Sequence, residues 1–352
     1  MRKILLTLVI GLLIVSCGNK NKGNEETQSG LLPANFEQRT ETGKLNKLYV
    51  MKNAAGMEVA VINMGARIVS AVVPDKDGNM VNVIAGYEDL QPYLQLKDYT
   101  GAVLGRYAGR ISGGEISVDR VTYRLRTNES TTMLNGGPRG FSTQYFDVEQ
   151  TAENTLVCSY FSMEKEEGFP GNLNLTVTYK LTEDNALDIT YEATTTRATP
   201  LNVTNQLHFN LSGVKSESIA NHSLFVNAAS YVDVDQNKIP TGKLLSVKDN
   251  NNFTTAKILD TAIAYDEMFV LNKSEEAEEK AAQLVSSTTG VKVEVYTTEP
   301  GIQLYTTTDK PVVILQTQHF PDSPHQPEFP STYLSKDSTF YSNTVYKFGI
   351  EK

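Results

Sequence analysis

Tryptophan is absent from the 352 residues, and cysteine occurs only twice. So few cysteines cannot build a disulfide framework. There is no run of basic residues, and the formal charge is -9. An acidic surface of this kind argues against nucleic acid as a partner. After residue 17 no apolar stretch is long enough to cross a bilayer as a helix. Length alone allows two domains. Yet no Pro/Gly/Ser-rich linker and no repeat period divides the chain.

The N-terminus is the exception to the scarcity of apolar runs. Met1-Arg2-Lys3 is followed by an apolar or small stretch, Ile4 to Val15, then Ser16-Cys17. The stretch has signal-peptide length. Ile14-Val15-Ser16-Cys17 resembles a bacterial lipobox, in which the cysteine is lipidated and becomes the new N-terminus. Residues 1–16 are therefore expected to be a lipoprotein signal peptide. Residues 17–35 are expected to be the lipidated Cys17 and a flexible tether, since Gly18 to Gly30 is polar and cannot bury a core. Removing residues 1–16 takes away Arg2 and Lys3, so the charge of -9 becomes -11. The expected place is the cell envelope, lipid-anchored to a bacterial membrane and facing the periplasm or the surface. With Cys17 lipidated, Cys158 has no partner. It lies in a strand-like run, Leu156 to Phe161, as a small buried hydrophobe.

From residue 36 onward strand signals dominate. Glu58 to Ile62 and Ile68 to Val73 flank Asn63-Met64-Gly65. Leu173, Leu175, Val177, Tyr179 and Leu181 alternate with polar residues, as do Leu187, Ile189, Tyr191 and Ala193. Thr182-Glu183-Asp184-Asn185 joins these two runs into a hairpin with one buried face. Val291, Val293 and Val295 repeat the pattern. Two short helical segments are expected, Leu90 to Leu96 and the charged stretch Ser274 to Leu284. The reading is one large all-β domain over residues 36–352, a sandwich of big antiparallel sheets.

Thr196 to Leu211, TRATPLNVTNQLHFNL, breaks the pattern. Asn202, Thr204, Gln206 and His208 recur at spacing two, and a regular strand places such positions on one face. That face is either a solvated surface or the lining of a pocket for a many-hydroxyl ligand.

An ordered series of motifs surrounds this stretch. Gly101-Ala102-Val103-Leu104-Gly105-Arg106 leads to Gly109-Arg110-Ile111. Then come Leu134-Asn135-Gly136-Gly137-Pro138, Glu167-Gly168-Phe169-Pro170-Gly171 and Thr204-Asn205. Tyr265-Asp266, Glu299-Pro300-Gly301 and Gln316-Thr317-Gln318-His319-Phe320-Pro321-Asp322 follow. Order and spacing resemble the aldose 1-epimerase (galactose mutarotase) family over about residues 36 to 352. The resemblance implies a galactose mutarotase-like β-supersandwich with an open groove. The implied partner is a monosaccharide, a free aldose, or the sugar end of an oligosaccharide. The family reaction interconverts α and β anomers without metal or organic cofactor. An acid protonates the ring oxygen while a base takes the proton of the anomeric hydroxyl.

The resemblance assigns sugar binding to Arg110, Asn135, Gln206, Asp266 and Gln316. A guanidinium fork at Arg110 suits hydroxyls or a ring oxygen, or else makes a structural ion pair. Asp266 accepts hydrogen bonds from hydroxyls. Two family histidines read as Asn135 and Gln206, and the family glutamate reads as Gln316. Amides donate and accept hydrogen bonds but do not titrate near neutrality. Two readings follow. The chain is a mutarotase working through substitute groups, His208 with Asp266 first, then Glu267 and His319. Alternatively it is a non-catalytic sugar-binding lipoprotein.

Overall fold

The protein is described by a computed structural model covering residues 25–40, 43–95, 98–216, 218–273 and 279–351. Three antiparallel sheets carry most of it. A four-stranded sheet runs in the order Leu48–Lys52, Glu58–Ile62, Arg67–Pro74, Met80–Asn82. A nine-stranded sheet is centred on Leu173–Leu181, Ala186–Thr195, Phe340–Ile350 and Val291–Thr297. A six-stranded sheet runs His208–Phe209, Val313–Gln318, Gly301–Thr306, Asp266–Val270, Ser230–Val234, Pro240–Ser246. This is the all-β architecture expected.

The hairpin expected at Thr182 to Asn185 forms in register, with Leu181 opposite Leu187. Its inward residues, from Leu173 to Ala193, join Val291, Val293 and Val295 in the main core. Ile302, Leu304, Val313 and Leu315 of the six-stranded sheet bury in the same core. Period-two alternation therefore builds one shared interior between the large sheets and frees the other face of each. Cys158 is part of that interior, and burial pushes its thiol pKa up, as suits an inert packing residue.

Two local expectations change. Gln91–Gln95 is helical, but Lys280–Ser286, which overlaps the end of the segment Ser274 to Leu284 read as a helix, is a strand of the nine-stranded sheet. Ala282 and Leu284 pair with Val295 and Val293 and are fully buried. Inward packing outweighs the helix propensity of the Glu-Ala-Lys composition. Residues 274–278 of that segment lie outside the described residues. Thr196 to Leu211 is not one strand either. It breaks into Thr199–Pro200, Thr204–Asn205 and His208–Phe209, which pair with three different partners. The four polar residues consequently do not share a face.

Residues 25–35, read as the end of the tether, lie against the domain. Leu31 and Phe36 pack with Ala60, Ile62, Met64, Val69, Leu90 and Tyr93. The Gln28 N–H donates to Oε1 of Glu58 at 2.8 Å. Glu58 is fully buried and its other oxygen meets Lys52 at 3.0 Å. Cys17 and residues 18–24 lie outside the described residues.

Candidate functional site

Because Val313, Leu315, Ile302 and Leu304 point into the core, their neighbours Ile314, Gln316, Gln318, Gln303 and Tyr305 point outward. Cross-strand register then assembles them. Gln303 stands opposite Gln316 and Tyr305 opposite Ile314. Asp266 stands opposite Tyr305, and His208 opposite Ile314. His208, Ile314, Tyr305 and Asp266 therefore form one row across four strands. This face is the floor of a groove of about 530 Å³. Loops carrying Asp98, Asn135 and Lys310, with the short strand Arg110–Ile111, form its walls.

All five residues assigned to sugar binding line this groove. Arg110 donates from Nε to Oε2 of Glu129 at 2.6 Å and from Nη2 to Oε1 at 2.9 Å. Burial disfavours its charge, but the Glu129 carboxylate prevails and its pKa is raised. This arginine is ion-paired and also lines the groove. Asn135 has φ 50°, a left-handed conformation that asparagine tolerates. Its Oδ1 accepts the Gly109 N–H at 2.8 Å, leaving the amide nitrogen available to a ligand. Asp266 accepts from Gln303 Nε2 at 2.8 Å and meets Lys238 at 3.4 Å. Gln316 is 7% exposed and donates from Nε2 to Oε1 of Gln318. The Gln206 backbone is fixed by Ala102 and Gly101, and its side-chain amide has no protein hydrogen bond among the described residues.

The substitute acid–base candidates fare differently. His208 lines the groove, but burial pushes its pKa down to about 4. Burial thus favours the neutral ring at His208. Its Nδ1 lies 3.4 Å from the Thr100 hydroxyl, and its Nε2 is buried without a hydrogen-bond partner among the described residues. Glu267 turns away from Asp266, stands opposite the buried Leu304, and accepts the Asp266 N–H at 2.9 Å. His319 pairs through Nδ1 with Oε2 of the buried Glu299 at 2.6 Å. Neither lines the groove. Asn202 and Thr204 are also not in it, each being 1% exposed. Asn202 donates to the carbonyls of Ala108 at 3.0 Å and His319 at 3.1 Å, and accepts the His319 N–H at 3.0 Å. It is a staple between segments.

Sequence reading missed Asp98, Glu129, Gln303 and Lys310, all groove residues. Gln303 could have been found, since Gln303 and Tyr305 alternate with apolar residues just after Glu299-Pro300-Gly301. Asp98 and Lys310 carried no local signal. They meet at 3.4 Å across most of the chain length, and the Tyr87 hydroxyl also donates to Asp98. Burial works against the Asp98 charge, but bonds from Tyr87 and Thr100 together with Lys310 hold its pKa below the usual carboxylate range.

The groove thus combines amides, hydroxyls and carboxylates, of which Glu129, Asp266 and Asp98 are matched by cations. Such a surface is chemically suited to a neutral polyol. The family model "Aldose 1-epimerase" matches residues 47–347. The aldose 1-epimerase of Escherichia coli K12 is 32% identical over 336 residues, covering 88% of this chain and 97% of that protein. Human galactose mutarotase is 33% identical over 317 residues, covering 84% and 92%. Among solved structures, the GalM/aldose epimerase homologue from C. elegans superimposes with a TM-score of 0.83 at 24% identity, over 87% of this chain and all of that one. Galactose 1-epimerase from Lactobacillus acidophilus NCFM gives 0.77 at 22% identity, over 90% and 98%. With a family model covering most of the chain and relatives matched almost end to end, this chain belongs to the aldose 1-epimerase family.

Proposed function

We propose that the groove binds a free aldose in its ring form and that the chain acts on the anomeric equilibrium of that sugar, in carbohydrate metabolism. The convergence of Arg110, Asn135, Gln206, Asp266 and Gln316 on one groove carries this reading. Arg110, Asn135, Gln206 and Gln316 offer N–H donors, and Asp266 offers carboxylate oxygens, as ring and hydroxyl oxygens require. Family membership supports the mutarotase-like part.

One observation favours a second reading, sugar binding without efficient turnover. Three positions that hold titrating groups in the family pattern are amides here. His208, the one histidine lining the groove among the described residues, is kept neutral at pH 7 by burial. Glu129, Asp266 and Asp98 each face a cation at 2.6, 3.4 and 3.4 Å. Carboxylates so paired accept hydrogen bonds from sugar hydroxyls. Polarimetry of fresh α-glucose and α-galactose separates the readings. Rates above buffer support the mutarotase. Buffer rates combined with calorimetric sugar binding support the binder. Absence of both sinks the aldose reading.

The lipobox supports a lipid anchor at Cys17 as a further part of the proposal, placing the domain at a bacterial membrane.

A further inference from the structure

We propose that His325 is a positioning residue for the groove: bridged to Asp322 and to the Glu115 backbone, its charged ring holds the wall that carries Arg110 and so raises sugar affinity. This rests on the aldose-binding reading and adds to it a control by pH.

The segment Pro321 to Gln326 is tied to two sides of the groove. Pro321 lines it, and Gly109 packs so closely on that ring that a Cβ there would lie 3.0 Å from it. The Asp322 N–H donates to the carbonyl of Arg110 at 2.8 Å. Gln326 donates from Nε2 to the carbonyl of Pro240 at 3.0 Å, at the foot of the hairpin whose Lys238 meets Asp266. Arg110 and the cationic partner of Asp266 are thus both linked to one turn.

Within that turn Asp322 is 1% exposed. Its carboxylate accepts the Ser112 N–H at 2.9 Å, the Ser112 hydroxyl at 2.9 Å and Nδ1 of His325 at 2.7 Å. The imidazole also donates to the carbonyl of Glu115, where the strand Glu115–Val118 begins. Charged, the ring has two N–H groups, one for each acceptor; neutral, it has one. Protonation therefore completes a second bond between the turn and the segment Arg110 to Glu115, and deprotonation opens it. The charged groups facing the ring are Asp322 from its own turn and Glu115 from the strand. Both are acidic, and they raise its pKa above the ordinary 6.5. About a third of the side chain is exposed, so protons reach it from solvent.

The groove is quiet in that window. Burial holds His208 at about 4, the pKa of Asp98 is lowered, and those of Tyr99 and Tyr305 are raised. None of these four changes charge between about pH 6 and 8.5.

The test is calorimetry with glucose and galactose from pH 6 to 8.5. Parent affinity is expected to fall about threefold as pH rises, the effect a partly exposed pair allows. By linkage, sugar binding should then take up protons, read from heats in buffers of different ionisation enthalpy. His325→Gln, neutral throughout, is expected to bind at the weaker level at every pH, and His325→Lys, charged throughout, to show no pH dependence. Neither should take up protons. Circular dichroism checks folding; if His325→Gln fails to fold, His325→Lys carries the comparison. A parent that binds sugar equally at every pH overturns this role alone. A pH dependence and proton uptake that survive in the variants also overturn it, as does a lowered melting temperature with the parent's sugar profile, which marks a merely structural histidine. Binding of no sugar by the parent overturns the aldose reading, and this role with it.

Discussion

Gln316 donates from Nε2 to Oε1 of Gln318, two residues along the same strand and on the same face. The position that the sequence resemblance matches to the family glutamate thus carries an amide engaged with a second amide. Gln318 passes the bond on, donating to the His319 carbonyl at 3.2 Å. The chain of amides is polarised in one direction and contains no group that titrates near neutral pH.

Restoring the titrating groups is expected to raise the rate. In the triple variant Asn135→His, Gln206→His, Gln316→Glu, acid and base stand where the family pattern has them. Loss of such groups typically costs about 10²–10⁴-fold each, so the gain in polarimetric mutarotation is expected to be large. It should follow a bell-shaped pH profile. A folded, sugar-binding triple variant that stays at the parent rate would show that these positions do not carry the chemistry.

Arg110→Ala and Asp266→Ala are expected to weaken aldose binding. Each leaves a partner uncompensated, Glu129 and Lys238 respectively, besides removing bonds to the ligand. A loss of about 1–3 kcal/mol in calorimetric affinity is expected for each. Parent-like binding by both would remove the groove from consideration.

Asn202→Ala is expected to act on stability and not on affinity. It strips three buried bonds, from Ala108 and His319. A cost of about 1–3 kcal/mol should be read as a lower melting temperature with unchanged sugar affinity. A selective loss of affinity at parent stability would return this residue to the site.

Acid stability has a predicted sign. Burial lowers the folded pKa of His208 and His222 to about 4, below the ordinary 6.5. His222 is held neutral as Nε2 accepts the Leu211 N–H at 2.9 Å. Between the two pKa values the unfolded chain binds the extra protons, so stability is full above about pH 6.5 and falls as pH drops toward 4. His325 opposes this, its pKa being raised by Asp322; its contribution is present at low pH and lost as pH rises through the folded value. It is a third exposed, so its weight is smaller. Melting temperature against pH checks the balance. His208→Phe is expected to flatten the acid limb.

Lipidation is checked by mass spectrometry of membrane-extracted protein, with a diacylglyceryl-modified Cys17 expected at the mature N-terminus. Cys17→Ala should release the protein from the membrane. An unmodified species starting elsewhere would count against the anchor.

The fold was largely legible because alternation is written directly into the strands. Leu173 to Leu181 and Ala186 to Thr195 declare their buried faces residue by residue. Lys280–Ser286 was not legible, since its charged neighbours favour a helix locally and only the partner Val291–Thr297 makes it a strand. The site divides in the same way. Arg110, Asn135, Gln206, Asp266 and Gln316 stand in motifs whose order could be read. Asp98 and Lys310 meet only through the fold. Asn202 shared the spacing of Gln206 and His208, but spacing maps to a face only if the strand is continuous, and here it breaks between them.

The docking of Thr27 and Leu31 against the four-stranded sheet limits how the domain can move. Thr27 is 8% exposed and its hydroxyl accepts the Leu31 N–H at 2.9 Å. Ten residue steps separate it from Cys17. A chain of that length reaches at most roughly 33–36 Å when fully drawn out. Were Cys17 lipidated as proposed, Thr27 would be held within that distance of the membrane, and the groove would sample only the layer of solution beside it.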